Sequence, residues 1–403
     1  MEKFMLDSNL PLLNGSKYLK LTIIVGVFWF VLGLAYIPVN KVYQQGVIVS
    51  LFLPLILMIS FNFKLFSNFL IENKVFSFLC GFLFLYIAIN GVFFNNLQDV
   101  KHILYIFVFL SLGFFIPFFE LNKKTLELLF FVILVAIAII CLYSFYDFFY
   151  SKNNNVFSRM YGALGVNHPI LASYYIGFFF ILSFAALAEE RKMYMLPFVA
   201  VFTLFILFAQ SRGAYIAVLI TLFLYLILFS KKNKFIMWSI ISFLCLSLIL
   251  GYFFSDQVVS RGVSYRPEIM MSSLVMGVEK LWFGHGIGYK YLIYTNNYPA
   301  GFDHTHNLPL HIFIRLGLVG VALFSALWFY CFYYCYKNKE FFLAKFNIFM
   351  IVFSSIAFQF DSASLIAQPR LEWFVVWVPV CITVAVMTVR FIDNIKNTNK
   401  LNS

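Results

Sequence analysis

Long apolar runs separated by short polar punctuation make up most of this chain, and one polar interval of a different kind interrupts them. A helix needs about 20 mostly apolar residues to cross a bilayer, with a range of about 17–25. On that ruler the pattern predicts twelve spanning helices, near 19–36, 46–62, 75–94, 103–119, 126–146, 169–187, 194–209, 213–230, 235–254, 308–336, 346–360 and 371–390. The seventh and eighth are short, and the tenth is long enough to tilt or to project beyond the bilayer. The exceptional interval starts at Ser255 and ends where the tenth apolar run begins. A connection of about fifty residues is long, since structureless loops beyond about 12–15 residues are uncommon unless they carry a function. The chain therefore divides into spans 1–9 (1–254), a polar loop (255–306) and spans 10–12 with a tail (307–403).

Inside that loop, Ser264-Tyr265-Arg266-Pro267-Glu268 reads as a helix start. Proline suits the first helical position, and an acid there complements the positive end of the helix dipole. Met270, Met271, Leu274, Val275 and Val278 then recur at helical spacing, which predicts an amphipathic helix lying along the membrane surface. Gly284, Gly286 and Gly288 stop it. The segment Gly284 to Tyr289 superficially resembles a phosphate-binding glycine loop but follows a helix rather than a strand, so it is expected to act as a turn that swings the loop back toward Arg212 and His306.

Composition fixes the solvent. Of 403 residues, 63% are hydrophobic and 11% charged, against about 25% charged in soluble domains. The net charge of +12 is spread in pairs and triplets between apolar runs, which is the signature of membrane topology rather than of nucleic-acid binding. Placing both ends in the cytoplasm puts eighteen of the 29 Lys and Arg on that side, and the polar loop then faces the opposite one. Glu2, Asp7 and Asn14, with no small-residue cleavage site, lead us to expect an uncleaved first span. All six cysteines (80, 141, 245, 331, 335 and 381) sit in apolar runs and read as small core residues.

Four arginines stand on the outer side against the general bias: Arg159, Arg212, Arg266 and Arg370. Arg212, in Gln210-Ser211-Arg212-Gly213-Ala214, occupies a hairpin so tight that its two helices must be neighbours. Guanidinium forks suit bidentate grip on phosphate oxygens, whereas snorkelling to lipid head groups is the alternative for a lone arginine. His304-Thr305-His306-Asn307 stands at the mouth of the tenth span. Histidine titrates near neutrality and is suited to general-base work. Asp303 is the only acid nearby in sequence, no Asp-x-Asp pair exists, and neither a metal nor a cofactor is expected. There is no Ser-His-Asp set, paired carboxylate or P-loop. An enzyme built this way needs a leaving group that departs without acid assistance, and a lipid-linked diphosphate fits.

These residues bring the chain close to a known group. In Gln210 to Ala214, Arg266 with the helix after it, Gly284 to Gly288, and His304 to Gly320, it resembles the O-antigen ligase family of bacterial inner-membrane proteins. That family shares a domain with O-antigen polymerases and protein O-oligosaccharyltransferases. The resemblance implies an all-α integral membrane protein of the GT-C-like kind, with about twelve transmembrane helices and one large periplasmic loop containing an amphipathic helix. It implies a metal-independent, inverting glycosyltransferase that moves a glycan from undecaprenyl diphosphate to lipid A-core. The family arginines matching Arg212 and Arg266 hold the lipid diphosphate, with Arg159 a further candidate. The histidine matching His306 is the base, and His304 and Asn307 are expected to orient the acceptor. Where family members often carry an acid a few residues after His-Asn, this chain has Arg315 before Leu316-Gly317. A polymerase and a protein O-oligosaccharyltransferase stay open as readings. A transporter is disfavoured by the lack of repeats and of charges near mid-membrane.

Overall fold

A computed structural model describes residues 13, 15, 17–119, 121–190, 192–229, 265–295, 298–362 and 364–401. The ninth predicted span at 235–254 with Cys245, the loop opening at 255–264 with Arg261, and the first twelve residues lie outside these. The described helices are α1 (Lys17–Tyr36), α2 (Asn40–Phe61), α3 (Phe63–Glu72), α4 (Lys74–Phe93), α5 (Leu97–Phe115), α6 (Lys123–Tyr146), α7 (Pro169–Glu190) and α8 (Leu196–Phe208). They continue with α9 (Arg212–Phe229), α10 (Arg266–Glu279), α11 (Leu308–Lys337), α12 (Phe342–Ala357) and α13 (Trp373–Leu401). Eight helices are long and apolar enough to cross a membrane, and three shorter apolar ones, Met193–Phe208, Arg212–Tyr225 and Phe342–Ala357, stand where the seventh, eighth and eleventh spans were predicted. The chain is an all-α integral membrane protein. Its five described cysteines are free and buried.

Helix α13 is the most enclosed of the spans and α7 the next. Trp373, Phe374 and Trp377 of α13 are buried and pack with Phe30 and Phe109 at ring separations of 5.4 Å (Phe30–Phe374) and 5.1 Å (Phe109–Trp373). Lipid is as apolar as these rings, so close van der Waals fit and buried hydrogen bonds hold the helices together. Asn347 of α12 supplies two such bonds, donating to Pro379 O and Thr383 Oγ1 at 2.9 Å each.

The unusual length of the tenth span has a specific cause. Helix α11 is broken at Gly317, whose φ of 65° and ψ of −168° belong to a region essentially reserved for glycine. Backbone polar groups freed at membrane depth must find partners inside the protein, and here the turn after α10 provides them. Leu318 N donates to Leu281 O at 2.8 Å and Val319 N to Trp282 O at 3.2 Å, while Ile314 O and Arg315 O accept from His285 N and Gly286 N. Tyr86 of α4 closes the gap by donating to Leu316 O at 2.6 Å. The glycine segment is therefore docked against the break in α11, and a Cβ on Gly284 would lie 2.3 Å from Arg315 C. It does not swing toward Arg212, as the sequence suggested; the return to His306 is made by a hairpin that the sequence reading did not anticipate. Strands β1 (Ile293–Thr295) and β2 (Tyr298–Phe302) pair antiparallel, with Ile293 opposite Phe302 and Thr295 opposite Tyr298.

Gly317→Ala is expected to lower stability rather than affect chemistry directly. Its backbone region costs a non-glycine residue about 1–3 kcal/mol, and the new methyl would sit 2.3 Å from Trp282 C. Thermal unfolding of the purified variant in detergent should show a clearly lower transition, and an unchanged transition would contradict the break.

Candidate active site

Helix α10 forms where predicted. It lays Ile269, Ser273 and Gly277 against the protein, with Gly277 so close to Phe313 of α11 that a Cβ would fall 2.4 Å from its ring. Met271, Val275 and Val278 are exposed on its other side, the face an interfacial helix offers to a bilayer. This packing sets the start of α10, and hence Arg266, beside the start of α9.

Arg159 reaches the same place by a different route. The segment after α6 lies on the α8–α9 hairpin, where Met160 N donates to Phe208 O at 2.9 Å and Arg159 Nε to Ala209 O at 3.1 Å. Gln210, with a left-handed φ of 48°, donates from Nε2 to Phe157 O at 3.0 Å. Gly213 lets the start of α9 approach Phe360, since a Cβ there would lie 2.5 Å from it. Phe360 in turn lies 5.9 Å beneath the Arg266 guanidinium.

The outcome is a cavity of about 240 Å³ bordered by Arg159, Ser211, Arg212, Tyr265, Arg266 and His306. Three guanidinium groups and the candidate base, spread over 148 positions of sequence, share one wall, and among the described residues that wall carries no carboxylate. Two of the arginines open helices, and His306 precedes a third, so the positive ends of α9, α10 and α11 gather here and favour an anion. Ser211 was not singled out by sequence; it is 3% exposed and its Oγ has no hydrogen-bond partner among the described residues.

Behind the cavity wall runs a chain of imidazoles and carboxylates. Asp303 Oδ1 lies 2.6 Å from His304 Nδ1, His304 Nε2 lies 3.0 Å from His306 Nδ1, and His306 Nδ1 lies 3.1 Å from Asp361 Oδ1. With both rings neutral, one proton assignment satisfies every contact. His304 donates from Nδ1 to Asp303, and His306 donates from Nδ1 to His304 Nε2 and Asp361. That leaves the lone pair on His306 Nε2, which has no hydrogen bond among the described residues. Burial alone would raise the Asp361 carboxyl, but the hydrogen bond from His306 and the fields of His306, His168 and His304 outweigh it and hold the group below the usual carboxylate range. The hydrogen bond from His304 likewise lowers Asp303.

Two expectations change. Asp303 is not the only acid near the histidines, because the turn between α12 and α13 delivers Asp361, which is 4% exposed. A ligand set is also present after all: one atom each from His304, His306 and Asp361 lie within 4.8 Å of one another. Asn307 is buried away from the cavity wall. Its Oδ1 caps α11 by accepting from Leu310 N at 3.0 Å, and its Nδ2 donates to Gln359 Oε1 at 2.9 Å. It holds His306 and the α12–α13 turn together. His304 stands behind His306, and Arg370 is paired with Glu372 at 2.8 Å. Phe302 of β2 lies edge-on to the His306 ring at 6.0 Å.

The similarity to known proteins overlaps most of this site. The O-antigen ligase family model matches 197–325, which contains Arg212, Arg266, the three residues His304, His306 and Asn307, and the break in α11; Arg159 and Asp361 fall outside it. An O-antigen ligase of Pseudomonas aeruginosa is 28% identical over 138 residues, 34% of this chain and 34% of that protein. The matched stretch thus spans about a third of the length of the curated relative. Through this segment, which supplies two of the three cavity arginines and the candidate base, the chain is similar to the O-antigen ligase family.

Proposed function

We propose that the protein is a glycosyltransferase that moves a preassembled glycan from undecaprenyl diphosphate to a sugar hydroxyl of lipid A-core, working at the periplasmic face of the bacterial inner membrane. The observation that carries this reading is the single cavity shared by Arg159, Arg212, Arg266 and His306. About 240 Å³ is too small for a glycan or a polyprenyl tail, since pockets for drug-sized ligands run about 300–1,000 Å³, but it suits a diphosphate. The lipid would run along the membrane-facing helices and the glycan would extend outward.

In this scheme the arginines neutralise the diphosphate and stabilise the charge that develops as it leaves. The acceptor oxygen attacks the anomeric carbon, the bond from that carbon to the diphosphate oxygen breaks, and the electron pair departs with the diphosphate. The acceptor proton passes to His306 Nε2. Asp361 and His304 hold the tautomer in which Nε2 is the acceptor, the role a carboxylate plays behind a catalytic histidine. The cavity wall offers no carboxylate nucleophile among the described residues, so a single displacement with inversion is the expected course. No step needs a metal ion, because guanidinium groups meet the leaving group.

The test is a gel of lipopolysaccharide from a strain lacking this protein. Loss of the long bands with an intact core supports transfer to lipid A-core. Core capped by a single repeat would instead assign the protein to polymerisation, and an unchanged ladder would defeat both.

A further inference from the structure

The triangle behind the base has a second chemical reading. His304 Nε2, His306 Nδ1 and Asp361 Oδ1 are separated by 3.0, 3.1 and 3.9 Å. Zinc bonds to imidazole nitrogen and carboxylate oxygen are about 2.0–2.2 Å, so neighbouring donors in a tetrahedral site lie roughly 3.3–3.5 Å apart. The three separations bracket that value, so the triangle has about the size of one face of a zinc tetrahedron. Asp303 completes the pattern. Its carboxylate takes the other nitrogen of His304 at 2.6 Å, the outer carboxylate that commonly orients a metal-binding histidine and raises its basicity. Two nitrogens and one oxygen suit zinc and its transition-metal neighbours, whereas magnesium and calcium prefer sites made of oxygen. Asp361 is enclosed, while the His304 and His306 side chains are 30% and 22% exposed, so an ion can reach the open side.

We propose that His304, His306 and Asp361 form an inhibitory site for a divalent transition ion, zinc above all, with the fourth position left to water. The ion takes the electron pair of His306 Nδ1, and the single proton of the neutral ring moves from Nδ1 to Nε2. Nε2 then becomes a donor and can no longer accept a proton from the acceptor hydroxyl. Zinc would thus switch the enzyme off by reversing the tautomer that the same carboxylate otherwise enforces. The inhibitory half rests on the reading of His306 as base; the binding half does not.

Binding is measured on untagged, full-length protein in detergent, stripped with chelator and dialysed against zinc chloride alone. We expect one equivalent of zinc, with magnesium chloride giving none. His304→Ala and Asp361→Asn should each lose the stoichiometric site, and Asp303→Asn should weaken it about 10–100-fold. Should a variant fail to fold, X-ray absorption on the zinc-loaded wild type still decides: nitrogen and oxygen neighbours at about 2.0–2.1 Å support the site, and sulfur at about 2.3 Å would assign the ion to cysteine and overturn it. Absence of stoichiometric zinc, or unchanged binding in both His304→Ala and Asp361→Asn, also overturns it. Transfer activity is assayed alongside and should fall with zinc and return with chelator. Zinc bound at this site with activity intact would refute the inhibitory half.

Discussion

Replacing His306 with asparagine is expected to reduce glycan transfer by about 10²–10⁴-fold, the usual contribution of a general base, while donor binding stays near normal. Asparagine is the informative substitution here. His306 has a left-handed φ of 51°, a conformation that histidine, asparagine and aspartate tolerate better than other non-glycine residues. Alanine would mix loss of the imidazole with a backbone penalty of about 1–2 kcal/mol. Asp361→Asn should act through the same nitrogen with a smaller effect, about 10–100-fold in rate, because the amide cannot hold the Nδ1 proton as a carboxylate does. The measurement is single-turnover transfer set beside donor affinity for each variant. Near-normal turnover in His306→Asn, or a loss confined to donor affinity, would exclude the histidine as base.

The arginines should behave in the opposite way. Arg266→Ala removes charge-assisted hydrogen bonds worth about 1.5–3 kcal/mol, which corresponds to roughly 10–150-fold weaker donor binding at about 1.4 kcal/mol per tenfold. Turnover should fall as well, since in the proposed scheme the same group meets the departing diphosphate. Arg212→Lys is the sharper test of geometry. It keeps the charge at the first turn of α9 but loses the planar fork, so activity should drop strongly with the protein still folded in the membrane. Restoration of full activity by lysine at 212 would show that charge alone suffices there. If Arg266→Ala left donor affinity untouched, the shared cavity could not be the diphosphate site.

Much of this protein is written locally. Span positions follow from the length of apolar runs, because the bilayer imposes one length on every crossing helix. Helix α10 follows from Pro267, Glu268 and the spacing of its methionines and leucine, and all three cavity arginines were conspicuous as outward-facing cations. His306 stood out at the mouth of α11. Other features depend on partners far away in sequence and have no local signal. Asp361 reaches His306 from 55 positions on, through the turn that Asn307 and Gln359 tie together, so neither the carboxylate beside His306 nor the metal-sized triangle could be read from the neighbourhood of the histidines. Gly284 superficially resembles part of a phosphate-binding loop, and Gly317 simply falls inside the tenth predicted span. Only the fold shows that Gly284 leaves room for the backbone at Arg315 and Gly317 for the backbone at Trp282, because the broken helix needs the backbone of the turn as its hydrogen-bond partner. Chemical type and membrane position are properties of the residue and its run; which donors meet at 3 Å is decided by packing.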